Sequence, residues 1–195
     1  MQKLKYWQRA GLLCAGLLWA QAAAAFQPSA LPGNAPLAAT GTVQVAFTPG
    51  DDAAGLIVQA IGQARRQVLV QAYSFTHRNI ARALVDAHRR GIDVQVLADP
   101  EQARRMERGM IGFLAEGGVP VFFDEAHASA HDKVMVIDAE TAHAVVITGS
   151  FNFTQAAQHR NAENLLLLRG NPPLTAAYLR NWRKHREHAV PLRGK

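Results

Sequence analysis

The sequence predicts an α/β domain with a mixed, largely parallel central sheet and helices on both faces. Three observations carry that expectation. From Val43 to Phe123, short apolar stretches alternate with segments of helical spacing, in the order β-α-β-α-β-α-β. Beyond Phe123 the order changes to two strands joined by a polar turn, then a short helix, a strand and a final helix. The chain has 195 residues, which is enough for one domain with a real core.

Each element follows from local pattern. Val43, Val45 and Phe47 alternate as a strand does. Asp51 and Asp52 offer N-caps to a helix carrying Leu56, Ile57, Ala60, Ile61 and Ala64. Residues 68–73 read as a strand, and Ile80, Leu84 and Ala87 mark a helix that Gly91 ends. Residues 92–98 form a continuous apolar strand broken by Asp99-Pro100. One helical stretch is expected from there to Gly117-Gly118, followed by a strand over 119–123. Strands at 133–137 and 144–148, a short helix from near Phe153 and a strand at 162–168 come next. Pro172-Pro173 opens the last helix, with Leu174, Tyr178 and Trp182 on one apolar stripe. Its basic end, Arg180, Arg183, Lys184 and Arg186, suits either solvent or a phosphate backbone.

The N-terminus reads differently. Lys3, Lys5 and Arg9 precede an apolar run over 10–20, and Ala23-Ala24-Ala25 offers a small-residue cleavage site. Residues 1–25 are therefore expected to be a secretory signal peptide, too short in its apolar part to favour a membrane anchor. Export places the protein in the periplasm or outside the cell. Residues 26–41, rich in proline and glycine, read as a linker, and 42–195 as the domain. Cys14 is the only cysteine and lies within the signal, so disulfides and thiolate metal sites are excluded from the remainder. The net charge is +6, of which the signal supplies three, leaving a mildly basic +3 that permits a polyanionic substrate.

The chemistry concentrates in His131-Asp-Lys133, Asp138, and Gly149-Ser150-Phe-Asn152. Side chains on a strand alternate faces, so His131 and Lys133 point the same way. Asp138 has the opposite parity and lies at the strand end, which implies an orienting or structural role. Ser150 and Asn152 repeat the two-residue spacing, and Gly149 allows close backbone approach. If the two strands pair, His131, Lys133, Ser150 and Asn152 converge on one patch. Lysine and asparagine would donate to phosphate oxygens, and histidine would act as nucleophile, base or acid near neutral pH. Glu163 is placed in sequence to hold the histidine ring through its other nitrogen.

This pattern resembles the HKD signature of the phospholipase D superfamily, and the chain looks most like its small, secreted, single-motif bacterial endonucleases. The likeness covers roughly 43 to the C-terminus and includes Val70-Gln-Ala-Tyr-Ser-Phe-Thr76 and Thr148-Gly-Ser-Phe-Asn-Phe-Thr154. It implies a phospholipase D-like nuclease fold. It also implies a histidine that attacks phosphorus to give a phosphohistidine, and a second histidine that protonates the leaving oxygen. Carried over, His131 is nucleophile or acid, Lys133 and Asn152 bind phosphate, Ser150 and Glu163 support the histidine, and Asp138 is mainly structural. The ten residues from Ala139 to Thr148 make the gap before Gly149 longer than the family's usual one. The extra length is expected to extend the hairpin.

The motif occurs once. In-line displacement puts nucleophile and leaving group on opposite sides of phosphorus, so one histidine cannot serve both. The expectation is a homodimer with the site across its two-fold axis. No cofactor is expected, because the covalent step and the cations replace metal activation of water. Asp124-Glu-Ala-His127 matches a helicase signature, but no phosphate-binding glycine loop accompanies it, so the match is read as chance. His127 and His131 are four apart at a loop–strand junction, a poor metal pair, and His77, His185 and His188 are read as surface or helix positions. Three functions compete: a nonspecific endonuclease acting on DNA or RNA, a phospholipid phosphodiesterase or phosphatidyl transferase, and an idle nucleic-acid-binding module. The small, polar loop before His131 favours nucleic acid.

Overall fold

The computed structural model describes residues 35–106 and 109–192. The expected signal peptide and residues 26–34 of the expected linker lie outside the described residues. One sheet of eight strands forms the centre, and no described helix is long and apolar enough to cross a membrane.

In chain order the elements are β1 (Thr42–Thr48), α1 (Ala53–Gly62), β2 (Gln67–Ala72), α2 (Arg78–Arg89), β3 (Asp93–Ala98), α3 (Pro100–Arg105) and α4 (Ile111–Glu116). Then come β4 (Val121–Phe123), β5 (Lys133–Ile137), β6 (Val145–Gly149), α5 (Gln155–His159), β7 (Glu163–Arg169), α6 (Pro172–His188) and β8 (Val190–Pro191). The spatial order is β1-β7-β6-β5-β2-β3-β4-β8.

The sheet is mixed, as expected, but its parallel part is small. Only β2–β3 and β3–β4 pair in parallel, through the α2 and the α3–α4 crossovers. The other five ladders are antiparallel. The cause is β1. It does not pair with β2 but crosses to the far edge, where β7 takes it antiparallel. Two further expectations change. The single helix after Asp99 is two short helices, and a two-residue strand, β8, covers the edge of β4.

Caps set the helix starts. Asp52 accepts from the Gly55 N–H at 2.8 Å, Asp99 from the Gln102 N–H at 2.8 Å, and Asn171 from the Leu174 N–H at 3.1 Å. Helix α2 buries Ile80, Ala81, Leu84, Val85 and Ala87 beneath a charged outer face. Together α1, α2 and α5 cover one side of the sheet, over Val68, Val70, Val94, Val96, Met135 and Ile147. Helix α6 covers Leu69, Leu97, Val134 and Val136 on the other side. Its buried residues are Thr175, Leu179 and Trp182, with Tyr178 partly buried, so the stripe lies one residue away from the expected Leu174. Trp182 Nε1 donates to the Val70 carbonyl at 3.2 Å, which satisfies the indole as it is buried.

Asp138 stands at the end of β5 away from Lys133, with φ of 49° and 2 % exposure. Its carboxylate accepts from the backbone N–H groups of Arg65, Arg66 and Gln67 at 2.7–3.1 Å. It thus fastens the turn between α1 and β2 and makes no contact with the phosphate patch. The longer gap after it forms the β5–β6 turn. Thr141 closes that turn by donating to the Asp138 carbonyl at 2.7 Å, and Ile137 still faces Val145 in register.

Candidate active site

The register of β5 with β6, and of β6 with β7, brings the motif residues together. His131, Lys133, Ser150, Asn152 and Glu163 line one open cavity of about 430 Å³. Asp138 is the motif residue outside it.

His131 is exposed just before β5, while Lys133, the first residue of the strand, is buried. Lys133 Nζ donates to the His131 carbonyl at 2.6 Å and lies 3.1 Å from His131 Nδ1. Burial lowers the Lys133 pKa from its ordinary value of 10.5, against the opposing pull of Asp132 and Glu163. Lowering the pKa marks an ammonium short of solvation, which an incoming phosphate oxygen would supply.

Tyr73 was not foreseen. Its ring lies 4.3 Å from that of His131, and Lys133 Nζ sits 4.9 Å from the tyrosine centroid. Gln102 holds the tyrosine, donating to its hydroxyl at 3.0 Å and accepting from Ser74 Oγ at 3.2 Å. Asp99 then links this group to the histidine's loop. One carboxylate oxygen caps α3 at Gln102 and the other accepts from the Ala130 N–H at 2.9 Å. The sequence signal was Val70-Gln-Ala-Tyr-Ser-Phe-Thr76, whose partner stretch ends at Thr154. The two stretches meet: Phe75 bridges Phe153, and the Thr76 and His77 N–H groups both donate to the Phe153 carbonyl.

On the other wall, Gly149 has φ of 145°, and a Cβ there would collide with the Asn164 carbonyl. That close approach lets Ser150 Oγ accept from the Asn164 backbone N–H at 3.0 Å and from its Nδ2 at 3.2 Å. Asn152 buries its Oδ1 without a hydrogen-bond partner among the described residues. The expected bond from Glu163 to the histidine ring is not made. Glu163 Oε1 accepts from Asn161 Nδ2 at 3.0 Å, while the His131 ring faces Lys133 and Tyr73.

Metal-ligand chemistry lies elsewhere. Among the described residues, Asp124, His127, His185 and His188 converge, and none of them lines the cavity. His127 turns toward Asp124 and not toward His131.

Fold and site define a phospholipase D-like phosphodiesterase domain. A family model described as "Cardiolipin synthase, PLD-like domain" matches residues 57–186, and the chain belongs to that family, the phospholipase D superfamily. A phospholipase D from Rickettsia prowazekii is 37% identical over 150 residues, covering 76% of this chain and 70% of its own length. One from Rickettsia typhi is 36% identical over 140 residues, covering 72% of this chain and 66% of the relative. Among solved structures, Nuc, a phospholipase D family member from Salmonella typhimurium, superposes with a TM-score of 0.73 at 32% identity. The superposition covers 80% of this chain and 100% of Nuc. NucT from Helicobacter pylori gives 0.69 at 27% identity, covering 78% and 100%.

Proposed function

We propose that the chain is an exported endonuclease that hydrolyses DNA, with RNA as a second substrate, through a phosphohistidine at a site shared by two copies. The carrying observation is the cavity itself, where one histidine, one buried lysine and the Ser150–Asn152 segment meet. Val134 is the one aliphatic side chain in its lining, and the rest is polar or glycine, which suits a phosphodiester backbone. The match to Nuc and NucT over the full length of their solved chains supports the nuclease reading.

In the first step a ring nitrogen of His131 attacks phosphorus and the N–P bond forms as the P–O bond to the leaving group breaks. The leaving oxygen takes a proton from His131 of the second copy. That histidine then removes a proton from water, whose oxygen displaces the ring nitrogen and returns the enzyme. Lys133 and the Asn152 amide hold the non-bridging oxygens, where charge accumulates. Each step uses only imidazole and water, so the proposed chemistry needs no metal.

The second copy has a surface to occupy. Val43, Val45 and Phe47 on β1 are 64 %, 48 % and 61 % exposed, although all three are large and apolar. They oppose Leu168, Leu166 and Asn164 of β7, so one apolar stripe runs to the residue that holds Ser150. An edge strand of this kind is ordinarily covered or charged.

A phospholipid substrate is the second reading, favoured by the Rickettsia relatives named phospholipase D. Plasmid DNA and phosphatidylcholine vesicles, incubated side by side in chelator well below the unfolding temperature, separate the two. We expect nicked plasmid and intact lipid with the parent, and both substrates left intact by His131→Ala. Lipid cleavage with intact plasmid would reverse the assignment.

A further inference from the structure

We infer that Asp124, His127, His185 and His188 form a structural binding site for a divalent transition cation, zinc by preference, that ties the loop carrying His131 to the end of α6. The site is independent of the proposed nuclease chemistry.

The four residues come from two segments. Asp124 and His127 open the loop between β4 and β5, and His185 and His188 sit in the last turn of α6. A spacing of three puts both helical histidines on one face. Their ring atoms do not merely lie near Asp124 but aim at it. His127 Nδ1 is 2.9 Å from Oδ1, His185 Nδ1 is 2.6 Å from Oδ2, and His188 Nε2 is 3.0 Å from Oδ1. The four ligand atoms all lie within 4.8 Å of one another. A tetrahedral zinc with bonds of about 2.0–2.1 Å separates its ligands by about 3.4 Å, so the Asp124–histidine contacts would open slightly while the wider separations close.

Burial points the same way. Asp124 is 2 % exposed, and its carboxylate meets three imidazole nitrogens and the Ala126 N–H. A cation seated among them would take the carboxylate oxygen and the three ring nitrogens as ligands. Three nitrogens and one carboxylate oxygen, with no thiolate, suit zinc in a closed tetrahedral shell. A closed shell has no open position for water activation, so the ion is structural.

The consequence for the fold is a cross-link. The loop from Asp124 to Asp132 has no regular structure, and His131 is near its end. The ion would pin its first half to α6, as Asp99 pins its second half through the Ala130 N–H.

The test uses the full chain without an affinity tag, stripped with chelator and titrated with zinc sulfate by calorimetry and by thermal melting. We expect one zinc per chain and a melting temperature that rises with zinc. Cobalt(II) in place of zinc should give tetrahedral absorption bands. Removing direct ligands in His185→Ala/His188→Ala should weaken binding by at least about 100-fold, since even outer-shell partners are worth about 10–100-fold. His127→Gln, in the half-exposed loop, repeats the test without touching the helix. Zinc that fails to saturate, fails to move the melting temperature, or binds the folded variants as tightly as the parent overturns the assignment. Nuclease activity in chelator, well below unfolding, reports on the catalytic reading alone.

Discussion

Tyr73 and His131 meet in a tilted contact, with ring centroids 4.3 Å apart and planes inclined by 50°, and the same tyrosine ring faces the Lys133 ammonium. The tyrosine therefore fixes the azimuth of the ring proposed to attack phosphorus. The tyrosine is a wall on one side of the imidazole and opposes its swing about the Cβ–Cγ bond.

Removing that wall should cost turnover more than binding. Tyr73→Leu is expected to lower kcat by about 10- to 100-fold, the scale of a misplaced reactive group. Tyr73→Phe keeps the ring and loses only the Gln102 hydrogen bond, so it should fall less. Steady-state kinetics on a short oligonucleotide decides this, and equal losses in the two variants would remove the wall from the mechanism.

Asp138 should behave as a fold residue despite belonging to the motif. Asp138→Ala strands three half-buried backbone N–H groups and should cost about 3 kcal/mol. For a domain of this size that is about 6–12 °C in Tm. Activity per folded molecule, measured well below the new Tm, should stay close to the parent's. A variant of unchanged Tm and lost activity contradicts this.

His77 gives the domain an acid-sensitive point. It is 4 % exposed and its Nδ1 has no partner among the described residues. Burial lowers its pKa below the ordinary 6.5, aided by nearby His159 and opposed by Asp52. Above 6.5 the ring is neutral folded and unfolded, so its contribution is complete. As pH falls below that value the unfolded chain takes the proton first, and stability drops until the lowered folded value is passed. Melts recorded from about pH 7.5 to 5 should fall more steeply for the parent than for His77→Gln. Parallel curves would show that another group sets the slope.

The β1 stripe should carry association. Phe47→Asp places a charge in the proposed contact while changing a residue that is already solvent-exposed in one chain. Sedimentation velocity should show a monomer with unchanged circular dichroism, and plasmid nicking should disappear with the dimer. A fully active monomer would require that a single histidine serve both sides of phosphorus.

Much of this was legible in the primary sequence because strand parity is a local rule. The spacing of His131 with Lys133, and of Ser150 with Asn152, anticipated four side chains around one cavity, although only Lys133 lies within a strand and the other three flank β5 and β6. Parity likewise set Asp138 apart, although its partners, three amides of a distant turn, follow from tertiary structure alone. Tyr73 and Gln102 escaped because nothing in the spacing of an aromatic or a glutamine marks which strand end it will meet. The partner of Glu163 was misjudged for the same reason: Asn161 is two residues away and reaches it first. The Asp124 group was hidden most deeply. Its halves are about sixty residues apart, and only the return of the chain along α6 to the β4 edge joins them. The crossing of β1 to the far edge was also invisible, since an alternating β-α-β pattern does not say which neighbour a strand will choose.

The long β5–β6 turn has a practical use. It sits at the end of both strands remote from His131 and Asn152, and Asp138 and Thr141 clamp its entry while Ile137 and Val145 close its base. Beyond this turn β5 and β6 pair without a break from Ile137–Val145 to Met135–Ile147. A fluorophore, an epitope or a surface-attachment peptide grafted near Glu140 would therefore report on the enzyme from a distance, leaving the phosphodiester pocket to work undisturbed.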